Sequence, residues 1–190
     1  MRDLNVDDKI TPPRSLLSRI SHAKNRMESA ADIRQNSHGF GDDQLAAVYE
    51  LYLKTLRTSG ALDFDDLLLK AVTLFETSEN ARERYANRFR YVMIDEYQDT
   101  NRPQYRLIRL LTDEHRNLCV VGDPDQSIYK WRGADLRNIL DFEEDYPETK
   151  VVRLERNYRS TQVILDAATN VISRNRQRKE KVLRAERVGG

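Results

Sequence analysis

The chain has 190 residues, 39% hydrophobic and 33% charged, and its 32 basic against 31 acidic side chains leave a net charge of +1. That length suits one generous domain or two small ones, and the composition is that of an ordinary soluble protein, rich in charge but not disordered. The near-zero balance points neither toward nor away from a polyanion, so only local patches carry that information.

The first ninety or so residues read as helices. "PPRSLLSRISHAKNRM" places Leu16, Leu17, Ile20, Ala23 and Met27 at helical spacing behind a proline start. "SHGFGDD" reads as a loop. The stretch "DDQLAAVYELYLKTLRTSG" then puts Leu45, Val48, Tyr49, Tyr52 and Leu56 on one face, opened by Asp42 or Asp43 and closed at Gly60. "LDFDDLLLKAVTLFE" and "NARERYANRF" predict two further helices.

After about Arg90 the pattern changes. Three short apolar runs, "YVMI", "LCVV" and "VVRL", alternate with the helical segments "PQYRLIRLLTDEH" and "DLRNILDFEEDY". Such alternation predicts βαβ crossovers and a mainly parallel sheet. Cys119, the single cysteine, sits in an apolar run as an expected small buried side chain. With no partner for a disulfide, a reducing cytoplasm fits best. The opening "MRDLNVDDKI" lacks the apolar core of a signal peptide, and no run approaches the length of a membrane span, so a soluble, cytoplasmic protein with no membrane partner is expected. A last helix, "TQVILDAATNVISRN", carries Val163, Ile164, Ala167, Ala168, Val171 and Ile172 on its expected buried side. From Arg174 to Arg187 the tail has seven Lys or Arg against two Glu, and reads as a solvated helix or a phosphate contact.

Each expected strand ends in a polar cluster, and ligands of open parallel sheets lie outside the carboxyl ends of the strands. "MIDE" is the Walker B pattern: Asp95 would order a magnesium ion and Glu96 would polarise the attacking water, unless the pair only caps the next helix. In "VVGDPDQSIYKWRGAD", Gly122 permits a turn, Asp123 can start it, and Gln126 offers a neutral amide to a terminal phosphate. Tyr129 and Trp131 alternate with Lys130 and Arg132, the make-up of a single-strand platform, although the sole tryptophan could equally anchor a core. "DPDQ" lacks the glycine and closing glutamate of a calcium loop. In "LERNYRSTQ", Ser160 or Thr161 can cap a helix, with Arg159 poorly placed for the helix dipole unless a phosphate or Glu155 meets it. His22, His38 and His115 are too scattered to suggest a metal.

In this order and spacing the three clusters resemble motifs II, III and IV of the UvrD/PcrA/Rep group of superfamily 1 DNA helicases, and "LDFDDLL" at 62–68 resembles the group's DNA-contacting segment. The resemblance implies an ATP-dependent 3′-to-5′ helicase that uses ATP and Mg²⁺ and acts on single-stranded DNA and duplex junctions in repair or replication. Asp95 would hold the magnesium, Glu96 would be the catalytic base, and Gln126 would couple the γ-phosphate to DNA. Tyr129 and Trp131 would stack on bases, Arg132 would support them, and Phe64 would add a contact. Tyr158 would lie against the adenine, and Arg159 would stabilise γ-phosphate charge, a role worth about 10³–10⁵ in rate. Arg156 departs from the group's usual residue and has no assigned role.

By the same resemblance, residues 1–88 would be the helical insertion subdomain of the first motor domain. Residues 89–158 would be the latter part of that RecA-like P-loop domain, and residues 159–190 the start of a second motor domain. None of the seven glycines precedes a lysine, so the G-x-x-x-x-G-K run that cradles phosphates is absent from the chain. The expectation is therefore a fragment with little or no ATPase activity of its own and an unpaired sheet edge that favours self-association. Two alternatives stand beside it: a non-catalytic single-stranded-DNA-binding module, or an interaction subunit completing a site with a P-loop chain.

Overall fold

The computed structural model describes residue 4 and residues 11–176 and 178–187. Most of the opening decapeptide, and the closing "VGG", lie outside the described residues.

Five helices come first: α1 (Pro13–Asn25), α2 (Ala30–Gln35), α3 (Phe40–Thr58), α4 (Phe64–Thr77) and α5 (Glu79–Arg88). Proline at the first position of α1 costs no hydrogen bond there. Leu16, Ile20 and Ala23 of α1 meet Ala30, Leu45 and Tyr49 in one buried cluster, and Val48 and Tyr52 pack against it. Burial of each large apolar side chain contributes about 1.5–3 kcal/mol. Leu17 is instead exposed, and Met27 lies past the helix end at a φ of 59°. Helix α2 was not expected; Ser29 and Asp32 form its reciprocal cap, a signal present in "SAAD". Helix α3 starts at Phe40, so Asp42 and Asp43 fall in its first turn, where they favour the dipole, rather than at the cap.

The second half holds β1 (Val92–Ile94), α6 (Arg102–Thr112), β2 (Leu118–Val120), the short α7 (Arg137–Leu140) and α8 (Phe142–Asp145), β3 (Arg156–Asn157), α9 (Gln162–Ile172) and β4 (Arg184–Ala185). β1 and β2 pair in parallel with Met93 opposite Cys119, as a β–α–β crossover through α6 requires. Beneath them Tyr97, Ile108, Ile139, Phe142 and Tyr146 form a second core. Helices α4 and α5 pack on α6 and so join the helical half to this one.

Three expectations fail here. "VVRL" forms no strand: residues 151–154 join no ladder among the described residues, and Val151, Val152 and Leu154 are exposed. No strand among the described residues lies beside it to satisfy its backbone, and without a ladder an apolar run has nothing to order it. Pairing resumes at Arg156–Asn157, in parallel with Arg184–Ala185. Cys119 is exposed, because the face of β2 that carries it is uncovered. In α9 only Leu165 is buried, while Val163, Ile164 and Val171 are exposed. The result is a helix-rich mixed α/β chain with two small parallel sheets. Among the described residues no helix is long and apolar enough to cross a membrane.

Candidate functional site

The end of β1 turns sharply at Glu96, whose φ of 51° and ψ of 42° place a non-glycine residue in the left-handed region. Such a conformation costs of order 1–3 kcal/mol and persists only where neighbours enforce it. Three do so. Asp95 Oδ1 accepts the Glu96 N–H at 2.9 Å. Val121 O accepts the Tyr97 N–H at 3.0 Å. Gln98 Nε2 donates to Glu96 Oε2 at 2.7 Å. Asp95 and Glu96 are both exposed. They do not cap the next helix: Asn101 does, in a reciprocal box with Gln104.

Gln98 is the residue that sequence reasoning missed. Only 1% exposed, it spans the two strand ends: its Nε2 holds Glu96, and its Oε1 accepts the Asp123 N–H at 2.9 Å. Its backbone carbonyl also accepts from Ser127 Oγ at 3.3 Å. The only hint was its place in "DEYQDTN", directly behind the carboxylates. Gly122 makes room for it, since a Cβ there would lie 2.6 Å from Gln98 Oε1 and 2.8 Å from Ile139 Cδ1. The glycine serves close approach rather than an unusual turn.

Behind β2, Asp123 starts a tight turn by accepting the Asp125 N–H, and Gln126 Nε2 donates to Asp123 Oδ2 at 2.8 Å. Burial pushes the Asp123 carboxyl up, but Lys181 and Gln126 outweigh it and hold the group below the usual range. Asp99 moves the other way, raised by burial and then by the charge of Glu96. Its Oδ1 is buried without a partner among the described residues.

The loop continues into Tyr129 and Trp131. Their rings are 6.3 Å apart and tilted by 49°, and the Arg132 guanidinium lies 5.4 Å from the first centroid and 4.6 Å from the second. Trp131 is 63% exposed, so it anchors no core. The shared cation fixes the two exposed rings relative to one another. Gly133, at φ 87°, ends the turn.

The remaining candidates are more scattered. Tyr158 is exposed and so is Arg159, on the loop between β3 and α9. Asn157 Oδ1 accepts the N–H groups of Arg159 and Ser160 and shapes that loop. Thr161 occupies the N-cap of α9 without a side-chain bond. Among the described residues no acid pairs with the Arg159 side chain; Glu155 instead accepts the Val182 N–H. Among the described residues no hydrogen bond or ion pair joins Tyr158 or Arg159 to Asp95, Glu96 or Gln126. Phe64 opens α4 and is 90% exposed.

The tail is not a solvated helix. Arg178 pairs with Asp125 at 3.0 Å, Lys181 pairs with Asp123 and Asp125, and Lys179 pairs with Glu143.

For magnesium the donor set is suitable. Asp95 keeps one oxygen outside the turn's own bonding, and no group of three or more His, Cys, Asp or Glu forms a protein cage among the described residues. Mg²⁺ in nucleotide sites takes one or two carboxylates and completes its shell with water and phosphate.

Comparison with known proteins assigns the family. The chain belongs to the UvrD/REP helicase family, whose N-terminal domain profile matches residues 1–147. It is 48% identical, over its whole length, to the ATP-dependent DNA helicase PcrA of Staphylococcus epidermidis, covering 26% of that protein. Against the PcrA of Staphylococcus aureus it is 48% identical over 96% of this chain and 25% of the relative. The chain thus spans about a quarter of the curated relatives it matches.

Proposed function

We propose that this chain is part of an ATP-dependent DNA helicase that moves 3′ to 5′ along single-stranded DNA, from duplex junctions, in repair or replication. The observation that carries this reading is the Gln98 bridge, because one buried side chain connects the Asp95–Glu96 strand end to the turn at Asp123 that leads to Tyr129 and Trp131. Bound Mg·ATP would supply the reactive γ-phosphate.

Toward that group, Asp95 would hold the metal and Glu96 would take the proton of the attacking water. Its left-handed backbone and the Gln98 amide orient the Glu96 carboxylate. Gln126, tethered to Asp123, is placed to exchange that bond for one to a terminal phosphate, and the exchange would pass directly into the Tyr129–Trp131 loop. Tyr158 would lie on the adenine and Arg159 would stabilise γ-phosphate charge once brought to the carboxylates. Phe64 would extend the DNA contact.

The chain contains no G-x-x-x-x-G-K run, so donors for the phosphates must come from elsewhere and the isolated chain turns ATP over slowly or not at all. The uncovered strand and helix faces, with Met93, Cys119 and Val163 among them, favour association with another protein surface or with a second copy.

The test measures ATP hydrolysis and quenching of Trp131 emission by single-stranded DNA, for the chain and for Glu96→Gln and Tyr129→Ala. The reading expects DNA to quench Trp131, with Tyr129→Ala weakening binding by about 1–3 kcal/mol. DNA that leaves Trp131 emission unchanged at every concentration would overturn it.

A further inference from the structure

Two adjacent buried polar residues at the end of α1 take no part in the chemistry above. The Lys24 side chain is fully buried, with Nζ 2.7 Å from Asp63 Oδ2 and 2.7 Å from Asp66 Oδ1. Its charge also lies 5.2 Å from the Tyr52 ring centroid. Asp63 and Asp66 are the two halves of the reciprocal cap of α4, and Phe64 is the first residue between them. One ammonium therefore grips both carboxylates that fix the helix start from which Phe64 projects.

Asn25, next in the chain, faces both ways. Its Nδ2 donates to Asp65 Oδ1 at 3.2 Å, and its Oδ1 accepts from Asn101 Nδ2. It also abuts Gly133: a Cβ added there would lie 2.6 Å from the Asn25 Cβ. Asp65 directly follows Phe64, and Gly133 directly follows Arg132. Asn25 thus touches the neighbour of each exposed aromatic site, although the two sites belong to different halves of the fold.

We infer that Lys24 and Asn25 are positioning residues that set the spacing between Phe64 and the Tyr129–Trp131 surface, so that the two form one continuous track for a single strand of nucleic acid. This rests on the reading of Tyr129 and Trp131 given above. A polar clamp suits the task because its hydrogen bonds are directional, where an apolar contact would tolerate sliding.

The experiment follows Trp131 emission while oligothymidylates of increasing length are added to the whole chain. The unmodified chain should show a rise in affinity, about tenfold, at the length where the strand first reaches Phe64. Phe64→Ala should abolish that step. Asn25→Ala should flatten it, and the double variant Asn25→Ala/Phe64→Ala should bind no more weakly than Phe64→Ala alone. Asp65→Ala leaves the Asn25 amide its 2.8 Å bond to Ser21 O and removes only its link to α4, so it should flatten the step even if Asn25→Ala does not fold. A step that survives both Asn25→Ala and Asp65→Ala, or losses from Asn25→Ala and Phe64→Ala that multiply independently, would overturn the inference and leave the stacking surface intact. Absence of quenching at any length would overturn the stacking surface, and this inference with it.

Discussion

Gln98 donates to the carboxylate of Glu96 at 2.7 Å, and with the other end of the same amide it accepts the backbone N–H of Asp123. The side chain is buried, so water cannot replace either bond when it is removed. Gln98→Leu, close in volume, should destabilise the chain by about 1–3 kcal/mol, the cost of stranding the Asp123 N–H. Urea denaturation reads it directly. The midpoint should fall with an unchanged slope, since the same surface is exposed on unfolding.

Gly122→Ala tests the same junction from the other side. Its methyl group would meet Gln98 Oε1 at 2.6 Å and Ile139 Cδ1 at 2.8 Å, and the Tyr97 backbone nitrogen at 3.2 Å leaves little room to retreat. Overpacking of this kind costs about 1–3 kcal/mol. Combined with Gln98→Ala, the penalty should shrink, because one of the two clashing groups is gone.

The Lys24 cluster makes a prediction about acid. Burial raises the Asp63 carboxyl, but the Lys24 ammonium, the Asp66 backbone N–H and the Tyr52 hydroxyl together carry it below its ordinary value. A carboxyl depressed in the folded state contributes stability above its unfolded value of about 3.9, and that contribution disappears as the pH falls through the folded value. Stability should therefore fall below about pH 4, and Asp63→Asn should make that decline shallower in denaturation curves taken at a series of pH values. Lys24→Met should cost about 3–5 kcal/mol at neutral pH, because it leaves carboxylates without their counter-charge.

Arg178 and Asp125 predict a release. Their side chains are 14% and 7% exposed, buried enough for the pair to matter, and Lys181 partly compensates at 3.3 Å from the same carboxylate. Arg178→Ala should cost about 1.5–3 kcal/mol and open the tail to trypsin at Lys181 and Arg184. Cleavage at those two sites should accelerate before cleavage in α1 or α3 changes.

Much of this architecture was legible in the residues. Leu16, Ile20, Leu45 and Tyr49 announced their helices because a helix that buries one stripe must repeat it. "YVMI" and "LCVV" formed strands because each had the other to pair with. "VVRL", apolar apart from Arg153, formed none, since strand formation depends on a neighbour that no local pattern encodes. The apolar stripe of α9 likewise showed which face is greasy and could not show whether anything covers it. Asp95, Glu96, Gln126 and the aromatic pair stood out by residue type. Gln98 did not, because glutamine is ordinary on a surface and becomes informative only once its burial is known. Lys24 was invisible for the opposite reason: among Arg14, Arg19 and Lys24 of α1, nothing in the sequence marks the one that turns inward.

The distances along the chain between contacting residues also set an order of assembly. The first core joins residues within the first 53 positions, and its helices can dock as soon as they emerge from synthesis. The Asn25–Asn101 bond closes a separation of 76 residues, and the Lys181–Asp123 pair one of 58. Contacts so remote in sequence form late, because the entropy of closing the loop must be met before they return anything. The aromatic loop is anchored at both of these closures, so it would reach its final place after the helical half is already built. A ribosome pausing before Arg178 would hold a nascent chain with its helices docked and that loop still unpinned by the tail.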